Sequence, residues 1–392
     1  MRYRYLNFLS FCVFHSSFVY LDDGSGIGRK IQLSFSIISI LMLFKYINVL
    51  FNKKFLSINL AVFIYIVSLF FTSFFSRTIK LSTDFHASSY TLGLFYAFTL
   101  MVFLLYIELV ILKNSFFIVI NVFFRLSFIY CIVSDLFFFY GIKTNEGFLI
   151  GNKFTLVYTH FFCLLLFILK QEVLYQEYKK KIYHFTLPKI IISLIIILLL
   201  SSMFHSSTGI LGSIILLIIF VFKKYLKLKL LSKNYIIALI IVFTSFSFLF
   251  KILISNDIFK FIIVDILGKD LTLTGRIDIY SVIMKSLKIS PYTGVGIGNA
   301  GNILMSKYGF ANAQNGLLNV VLEQGIFGAI SVIYLVYVSF KGYLHEISFP
   351  IVSLVVFFIV ISCIEITFNI NFIYTLILLQ PFKFYSKIST HK

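Results

Sequence analysis

The chain has 392 residues, of which 60% are hydrophobic and only 12% are charged, and its mean hydropathy is +0.99. Ordinary soluble domains are about half apolar and about one quarter charged, so no water-soluble fold could hide this much apolar surface. The formal charge of +19 would suggest nucleic-acid binding in a soluble protein, but here the Lys and Arg residues punctuate apolar runs and form no single basic face. Composition therefore predicts a membrane protein with no nucleic-acid partner.

The four cysteines give no sign of a disulfide framework or a zinc site. Cys12, Cys131, Cys163 and Cys363 each lie inside an apolar stretch, and no two of them are closely spaced. No Asp-x-Asp or histidine-cluster pattern occurs in the predicted outer loops. We therefore expect no metal and no cofactor.

The N-terminus resembles a signal peptide because Arg2 and Arg4 precede an apolar run. No small-x-small cleavage site precedes Asp22, so we expect an uncleaved first span. A helical span needs about 20 largely apolar residues. About twelve runs approach that length, which predicts an all-α, polytopic transmembrane bundle and a single integral membrane domain over residues 1–392. The runs are 5–20, 31–51, 55–75, 91–112, 115–140, 154–169, 189–204, 208–222, 235–255, 317–340, 350–366 and 370–382.

The basic residues in short loops predict the orientation of the bundle. With the N-terminus in the cytoplasm, nineteen Lys and Arg residues fall on the cytoplasmic side and six fall in the short outer loops. Both termini are therefore expected on the cytoplasmic side. The long loop over residues 256–311 is then expected in the periplasm or at the cell exterior.

This long loop contains a predicted short interfacial helix. Ile279, Val282, Ile283 and Leu287 fall near helical spacing on one side, and Pro291 lies just past the expected end. Such a helix would lie on the membrane and bring Arg276 and Asp278, at its start, to the membrane boundary, where a lipid diphosphate sits.

A glycine-rich stretch follows, with glycines at positions 294, 296 and 298. A dinucleotide fingerprint would need a strand before it and a helix after it, and nucleotides are scarce outside the cytoplasm. We expect Gly294 and Gly296 to let the backbone turn tightly, with substrate as a possible neighbour.

A polar stripe enters the next apolar run. Asn315, Asn319 and Glu323 are four residues apart, so they share one helical face. A polar stripe inside a membrane must face protein or water, and an ionisable residue there is a functional candidate. For Glu323 a hydrogen bond that only supports packing is the equal alternative.

The stretch from Thr274 to Gly328, together with the topology of the whole chain, resembles the superfamily of O-antigen ligases and Wzy-type O-antigen polymerases. The ligase branch has a His followed by Asn, Ser or Gln, nine residues, Gly, two residues and Gly. Asn315, Gly325 and Gly328 fit that spacing, but Gln314 occupies the His position, which favours the polymerase branch. Many members also have an Arg after a Ser in an earlier outer loop. Here that stretch begins at His205 and has no Arg, so the phosphate-binding Arg is absent or is supplied by Arg77, Arg29 or Arg125.

The resemblance implies a glycosyltransferase that transfers a growing chain from undecaprenyl diphosphate to the terminal sugar hydroxyl of an incoming lipid-linked repeat. Arg276 is the first candidate for binding the diphosphate, because its planar fork can bind phosphate oxygens bidentately. Asp278 and Glu323 are the candidate bases, although Asp278 could instead form a purely structural pair with Arg276. A helix N-terminus near Gln314 and Asn315 could add backbone donors.

Arg125 lies in the middle of an apolar run, where a charge usually faces a cavity. Two interpretations stay open: it lines the path of the lipid diphosphate, or it pairs with Asp135 or Glu108. Gln314, Asn315, Gly294, Gly296, Arg125 and Arg77 together form the expected substrate-binding set.

The expected partners are undecaprenyl-diphosphate-linked oligosaccharide and membrane lipids, with a chain-length regulator and a flippase as further candidates. A flippase is also the rival function from another class, but flippases usually show two similar halves, whereas this chain concentrates its polar residues in one late outer loop. Among enzymes, a ligase is the main alternative to a polymerase. A scaffold membrane protein is a further alternative.

Overall fold

A computed structural model describes residues 3–19, 27–75, 89–141, 149–178, 186–253, 257, 260, 279, 283, 285, 290–309 and 313–384. These residues form α-helices and short 3-10 helices, and they contain no β-strand. The predicted all-α class is therefore confirmed.

The helices follow the apolar runs of the sequence in chain order. They are α1 (Tyr3–Ser17), α2 (Ile27–Leu43), α3 (Leu56–Phe75), α4 (Ser89–Leu112), α5 (Phe116–Phe139), α6 (Lys153–Tyr178), α7 (Leu187–Met203), α8 (Ser207–Val221), α9 (Lys223–Leu230), α10 (Lys233–Leu253), α11 (Ala300–Tyr308), α12 (Gly316–Phe340), α13 (Phe349–Ile361), α14 (Ile370–Ile377) and α15 (Gln380–Phe384). A 3-10 helix, Phe44–Phe51, extends α2, and a second one, Glu346–Ser348, leads into α13.

Six helical segments of the described chain are long and apolar enough to cross a membrane. They are Gly28–Phe51, Leu56–Phe75, Tyr90–Leu112, Phe116–Phe139, Lys153–Gln176 and Gly316–Phe340. The other six expected spans coincide with helices that do not meet this criterion, and most of these are shorter. The structure therefore supports a helical membrane protein with six candidate spans, and the count of twelve is not established.

The helices pack as neighbouring pairs around one large apolar core. Helix α3 lies against α12, where the Ser68 and Ser331 hydroxyls are 3.1 Å apart. Helix α1 lies near α4, where the Ser10 and Tyr106 hydroxyls are 2.5 Å apart. Such hydroxyl pairs satisfy polar groups that would otherwise lie unpaired in an apolar environment.

One end of the bundle, here called the basic end, carries Lys54, Lys223, Lys227, Lys341 and Lys383 at or near helix ends. Lys54 Nζ lies 4.2 Å from the centre of the Phe384 ring, and Lys383 Nζ donates to the carbonyl oxygen of Val338 at 2.6 Å. Lys223 Nζ lies 2.6 Å from a carboxylate oxygen of Glu172, and Lys227 pairs with Glu346. These contacts join α15 to the ends of α3 and α12, and they join α9 to α6 and to the 3-10 helix before α13. The assignment of this end to the cytoplasm stays a prediction.

The opposite end, here called the cavity end, contains the segments around Asn152, His205, Thr293, Asn315 and Glu365. Lys153 Nζ donates to the carbonyl oxygen of His205 at 3.1 Å. Gly316 N donates to the carbonyl oxygen of Ser362 at 2.7 Å. Two cavities lie at this end, one beside Glu323 and one beside Glu365.

Helix α8 approaches its neighbours closely because position 212 is a glycine. A Cβ atom on Gly212 would lie 2.5 Å from the Phe357 ring and 2.8 Å from the Phe161 ring. Both phenylalanines are fully buried, so neither ring can move into open space.

We expect Gly212→Ala to lower the free energy of unfolding by about 1–3 kcal/mol, because overpacking a filled core forces side chains off their preferred rotamers. Ile218→Ala on the same helix is the control, since Ile218 is 49% exposed on the outer surface of the bundle. Thermal unfolding in detergent micelles measures both variants. Equal midpoints for Gly212→Ala and Ile218→Ala would contradict this account of the packing.

Candidate functional site

Helix α12 is interrupted near its middle. Gly325 has φ 65° and ψ −165°, a conformation that is essentially restricted to glycine. The interruption removes the regular hydrogen bonds of one helical turn. Since a broken helix is tolerated at membrane depth only where its backbone groups find other partners, the partners at Gly325 decide whether this geometry is stable.

The carbonyl groups before the interruption find donors in the glycine-rich segment. In a continuous helix, the carbonyl oxygens of Leu322 and Glu323 would accept from the amides four residues later. Here Val295 N donates to Leu322 O at 2.9 Å, and Gly296 N donates to Glu323 O at 2.8 Å. Both carbonyl oxygens therefore accept a hydrogen bond although their usual helical donors are missing.

The amides after the interruption find acceptors in the same segment. Ile326 N donates to the carbonyl oxygen of Pro291 at 3.0 Å, and Phe327 N donates to that of Tyr292 at 3.4 Å. Residues 291–296 thus replace the missing helical turn on both sides of the break.

The glycines allow the two backbones to lie in contact. Gly294, Gly296 and Gly298 all have positive φ values, which agrees with the predicted tight turning of this stretch. A Cβ atom on Gly294 would lie 2.5 Å from the carbonyl carbon of Glu323, and one on Gly325 would lie 2.1 Å from Tyr292 O. No larger residue fits at either position without moving backbone.

The described part of the long loop has a small core of its own. Ile279 and Ile283 are buried and Lys285 is exposed, which matches the two sides of the predicted interfacial helix. The buried side, however, packs with residues of α11 and α12 such as Leu304 and Leu322. The apolar face at these two positions is therefore covered by protein. Arg276 and Asp278, the first candidates for phosphate binding and for the base, lie outside the described residues.

Glu323 projects into a cavity of about 250 Å³ beside the break in α12. Its carboxylate oxygen Oε1 accepts from Gly298 N at 3.0 Å, and the carboxylate also contacts the Asn319 side chain. The remaining wall includes Tyr65 and Tyr96. The cavity therefore offers one carboxylate, two phenol rings and the three side-chain amides of Asn319, Gln324 and Asn369, among apolar residues.

The expected polar stripe divides into two parts. Asn319 and Glu323 share the cavity, as their spacing indicated. Asn315 instead caps the N-terminus of α12, where its side chain accepts from Leu318 N at 2.9 Å and is 1% exposed. Gln314 lies just before the cap in the left-handed conformation, with φ 46°. Neither Gln314 nor Asn315 lines either of these two cavities of the described structure.

Gly294, Gly296 and Arg125, three other expected substrate-binding residues, do not line this cavity. Gly294 and Gly296 contact the backbone of α12, whereas Gly298 lines the cavity. Arg125 is exposed on the surface of α5 and forms no ion pair within the described chain. Arg77 lies outside the described residues.

The suggested partners of Arg125 have other neighbours. Asp135 Oδ1 lies 3.1 Å from Nε2 of His160, and buried Glu108 contacts Asn59. Cys131 and Cys163, which are far apart in sequence, have side chains in contact between α5 and α6. No spacing in the sequence indicates this pair, because the two residues belong to different helices.

A second cavity, of about 280 Å³, lies beside the first. It contains Glu365, a residue that the sequence motifs did not single out. Glu365 belongs to the irregular segment 362–369 between α13 and α14. From this segment into the first turn of α14, the polar residues Glu365, Thr367, Asn369 and Asn371 alternate with apolar ones. This alternation, at the end of an apolar run, is the only feature of the sequence that indicates a polar site here.

Comparison of the chain with models of protein families, with curated proteins and with solved structures finds no match. What the site can do chemically therefore has to follow from its own geometry.

We expect Gly325→Ala to destabilise the fold strongly, for two reasons. Alanine is strained at the φ and ψ angles of Gly325, and its Cβ atom would also clash with the backbone of Tyr292. Gly309→Ala is the matched control. Gly309 also has a positive φ, of 74°, but a Cβ atom there would meet nothing within 4 Å. Alanine at Gly309 should therefore cost only about 1–2 kcal/mol, the penalty of a left-handed conformation.

Unfolding midpoints in detergent compare the two alanine variants. A Gly325→Ala protein as stable as Gly309→Ala would show that residues 291–296 do not hold the break in α12.

Proposed function

We propose that the chain is a polysaccharide polymerase of the inner membrane, a glycosyltransferase that joins undecaprenyl-diphosphate-linked oligosaccharide repeats. The observation that carries this proposal is the Glu323 cavity, which lies where the glycine-rich segment 291–298 meets the interrupted helix α12. An enzyme that acts on a lipid-linked substrate needs a polar enclosure at the end of a membrane bundle. The resemblance of residues 274–328 to polymerases supplies the reaction class.

Glu323 is the proposed general base. In this role its carboxylate accepts the proton of the acceptor sugar hydroxyl while that oxygen attacks the anomeric carbon of the growing chain. The bond from the anomeric carbon to the diphosphate oxygen breaks, and the diphosphate leaves with the electron pair. The fixed donor at Gly298 N, together with the Asn319 side chain, would orient the carboxylate for this transfer.

The leaving diphosphate needs positive charge in the transition state. Neither cavity is lined by Lys or Arg among the residues that the structure describes. We therefore keep Arg276, in the same outer loop, as the proposed diphosphate ligand. Arg276→Ala should abolish polymer while the protein remains in the membrane, and long chains of normal length from that variant would remove Arg276 from the mechanism.

Deleting the gene tests the function itself. A polymerase mutant should leave a lipid core with at most one repeat on a gel of the surface polysaccharide. A bare core with long polymer still attached to the carrier lipid would instead indicate a ligase. Single repeats trapped on the cytoplasmic side would indicate a flippase.

Glu323→Gln tests the proposed base. Glutamine keeps a side-chain oxygen that can accept from Gly298 N but cannot take up the proton, so we expect polymerisation to slow about 100-fold or more with protein abundance unchanged. Glu172→Gln is the control, since Glu172 pairs with Lys223 at the basic end. Polymerisation rates measured in membranes with purified lipid-linked repeats decide the question, and a wild-type rate in Glu323→Gln would exclude Glu323 as the base.

A further inference from the structure

The second cavity is built differently from the apolar packing around it. One side is formed by aromatic side chains of α1, α6 and α13, among them Phe14, Tyr158 and Phe358. The polar groups of the other side come from the start of α6, from the segment that joins α13 to α14, and from α14 itself. They are Asn152, Thr155, Thr159, Glu365, Asn369, Asn371 and Thr375.

The carboxylate of this cavity is held in place by the fold. Thr208 Oγ1 of α8 donates to Glu365 Oε1 at 3.3 Å, which ties the irregular segment to a neighbouring helix. Asn369 caps α14 by accepting from Asn371 N at 3.0 Å. Irregular backbone at the end of a membrane bundle is tolerated where it lines a cavity, and segment 362–369 does so.

The polar groups indicate the chemical class of the ligand. Carboxylate and amide oxygens accept hydrogen bonds from hydroxyl groups, and amide and threonine groups can donate in return. No Lys or Arg lines this cavity among the described residues, and a phosphate would meet the negative charge of Glu365. A ligand with many hydroxyls and some apolar faces, such as a sugar, fits both the polar groups and the aromatic wall.

The two cavities are neighbours. Ile366 and Asn369 line both of them, so the segment that carries Glu365 forms the wall between the Glu365 cavity and the Glu323 cavity. Ile366 and Asn369 are therefore within contact distance of a ligand in either cavity.

We propose that the Glu365 cavity is a carbohydrate subsite, which binds uncharged sugars of the repeat next to the sugar that reacts at Glu323. This inference rests on the proposed polymerase function for the identity of the ligand. Glu365 and Asn371 hold sugar hydroxyls, and the aromatic wall covers the apolar face of the ring.

Direct binding tests this subsite separately from turnover. The probe is the carrier-free oligosaccharide repeat released from the surface polysaccharide of the host, added to the full chain in detergent and followed by equilibrium dialysis. Glu365→Gln and Asn371→Ala should each weaken binding about tenfold or more, since the first replaces a charged acceptor by a neutral amide and the second removes an amide from the cavity. Asn371→Ala guards against misfolding, because no hydrogen bond among the described residues uses the Asn371 side chain.

Two further variants separate this inference from the proposed function. Glu323→Gln should lose polymerisation but keep oligosaccharide binding within about threefold, and Glu172→Gln at the basic end should change neither. Inorganic diphosphate is the competing probe, and we expect it to leave oligosaccharide binding unchanged.

Each remaining outcome bears on one proposal. If the wild-type chain does not bind the oligosaccharide, or if both cavity variants bind it as well as wild type does, the subsite is overturned, whatever Glu323→Gln does to polymer. Displacement of the oligosaccharide by diphosphate would also overturn it. A deletion strain with normal long chains would overturn the polymerase function, whereas the binding data would still report on the cavity.

Discussion

The exchange of hydrogen bonds at Gly325 is the interaction on which the candidate site depends. Breaking a helix inside an apolar bundle leaves carbonyl and amide groups that cannot be left unpaired. Residues 291–296 supply two donors and two acceptors at the break, so α12 changes course without leaving these four groups unsatisfied. The late loop and the helix are therefore one structural unit.

This unit also explains where the first cavity lies. Glu323 immediately precedes the break, and its side chain accepts from Gly298 of the segment that repairs the helix. The other interruption of the bundle, segment 362–369, contacts the start of α12, where Gly316 N donates to Ser362 O. Two irregular segments thus meet at the cavity end, beside two neighbouring cavities, one lined by Glu323 and the other by Glu365.

The helices could be predicted from the sequence because apolar runs of near-span length have one stable conformation in a membrane. The number of spans was less well determined. Runs such as 189–204 and 208–222 become helices α7 and α8 of 17 and 15 residues, joined by a short turn. Hydropathy alone cannot separate a short span from a helix packed within the bundle, which is why twelve runs yielded six segments that satisfy the length criterion.

The site was only partly predictable. Helical spacing correctly grouped Asn319 with Glu323, because one face of one helix is a local property. The spacing also grouped Asn315 with them, but position 315 begins the helix, and its side chain is used as a cap. The cavity that contains Glu365 is lined by residues of α1, α6, α13 and α14. Glu365 could not be assigned to a site from the sequence, because no local pattern predicts which distant helices meet.

The spacing that resembles the ligase motif has a structural explanation at every matching position. Asn315 caps α12, Gly325 forms the break, and Gly328 leaves room for Gln324, whose Cβ would lie 2.2 Å from a Cβ at position 328. In this chain the three positions are therefore accounted for by the way in which helix α12 starts and breaks. The position at which the ligase branch has its His is Gln314, before the cap and away from both cavities. Chemistry in this chain would then depend on Glu323, the ionisable group that the break itself brings to a cavity wall.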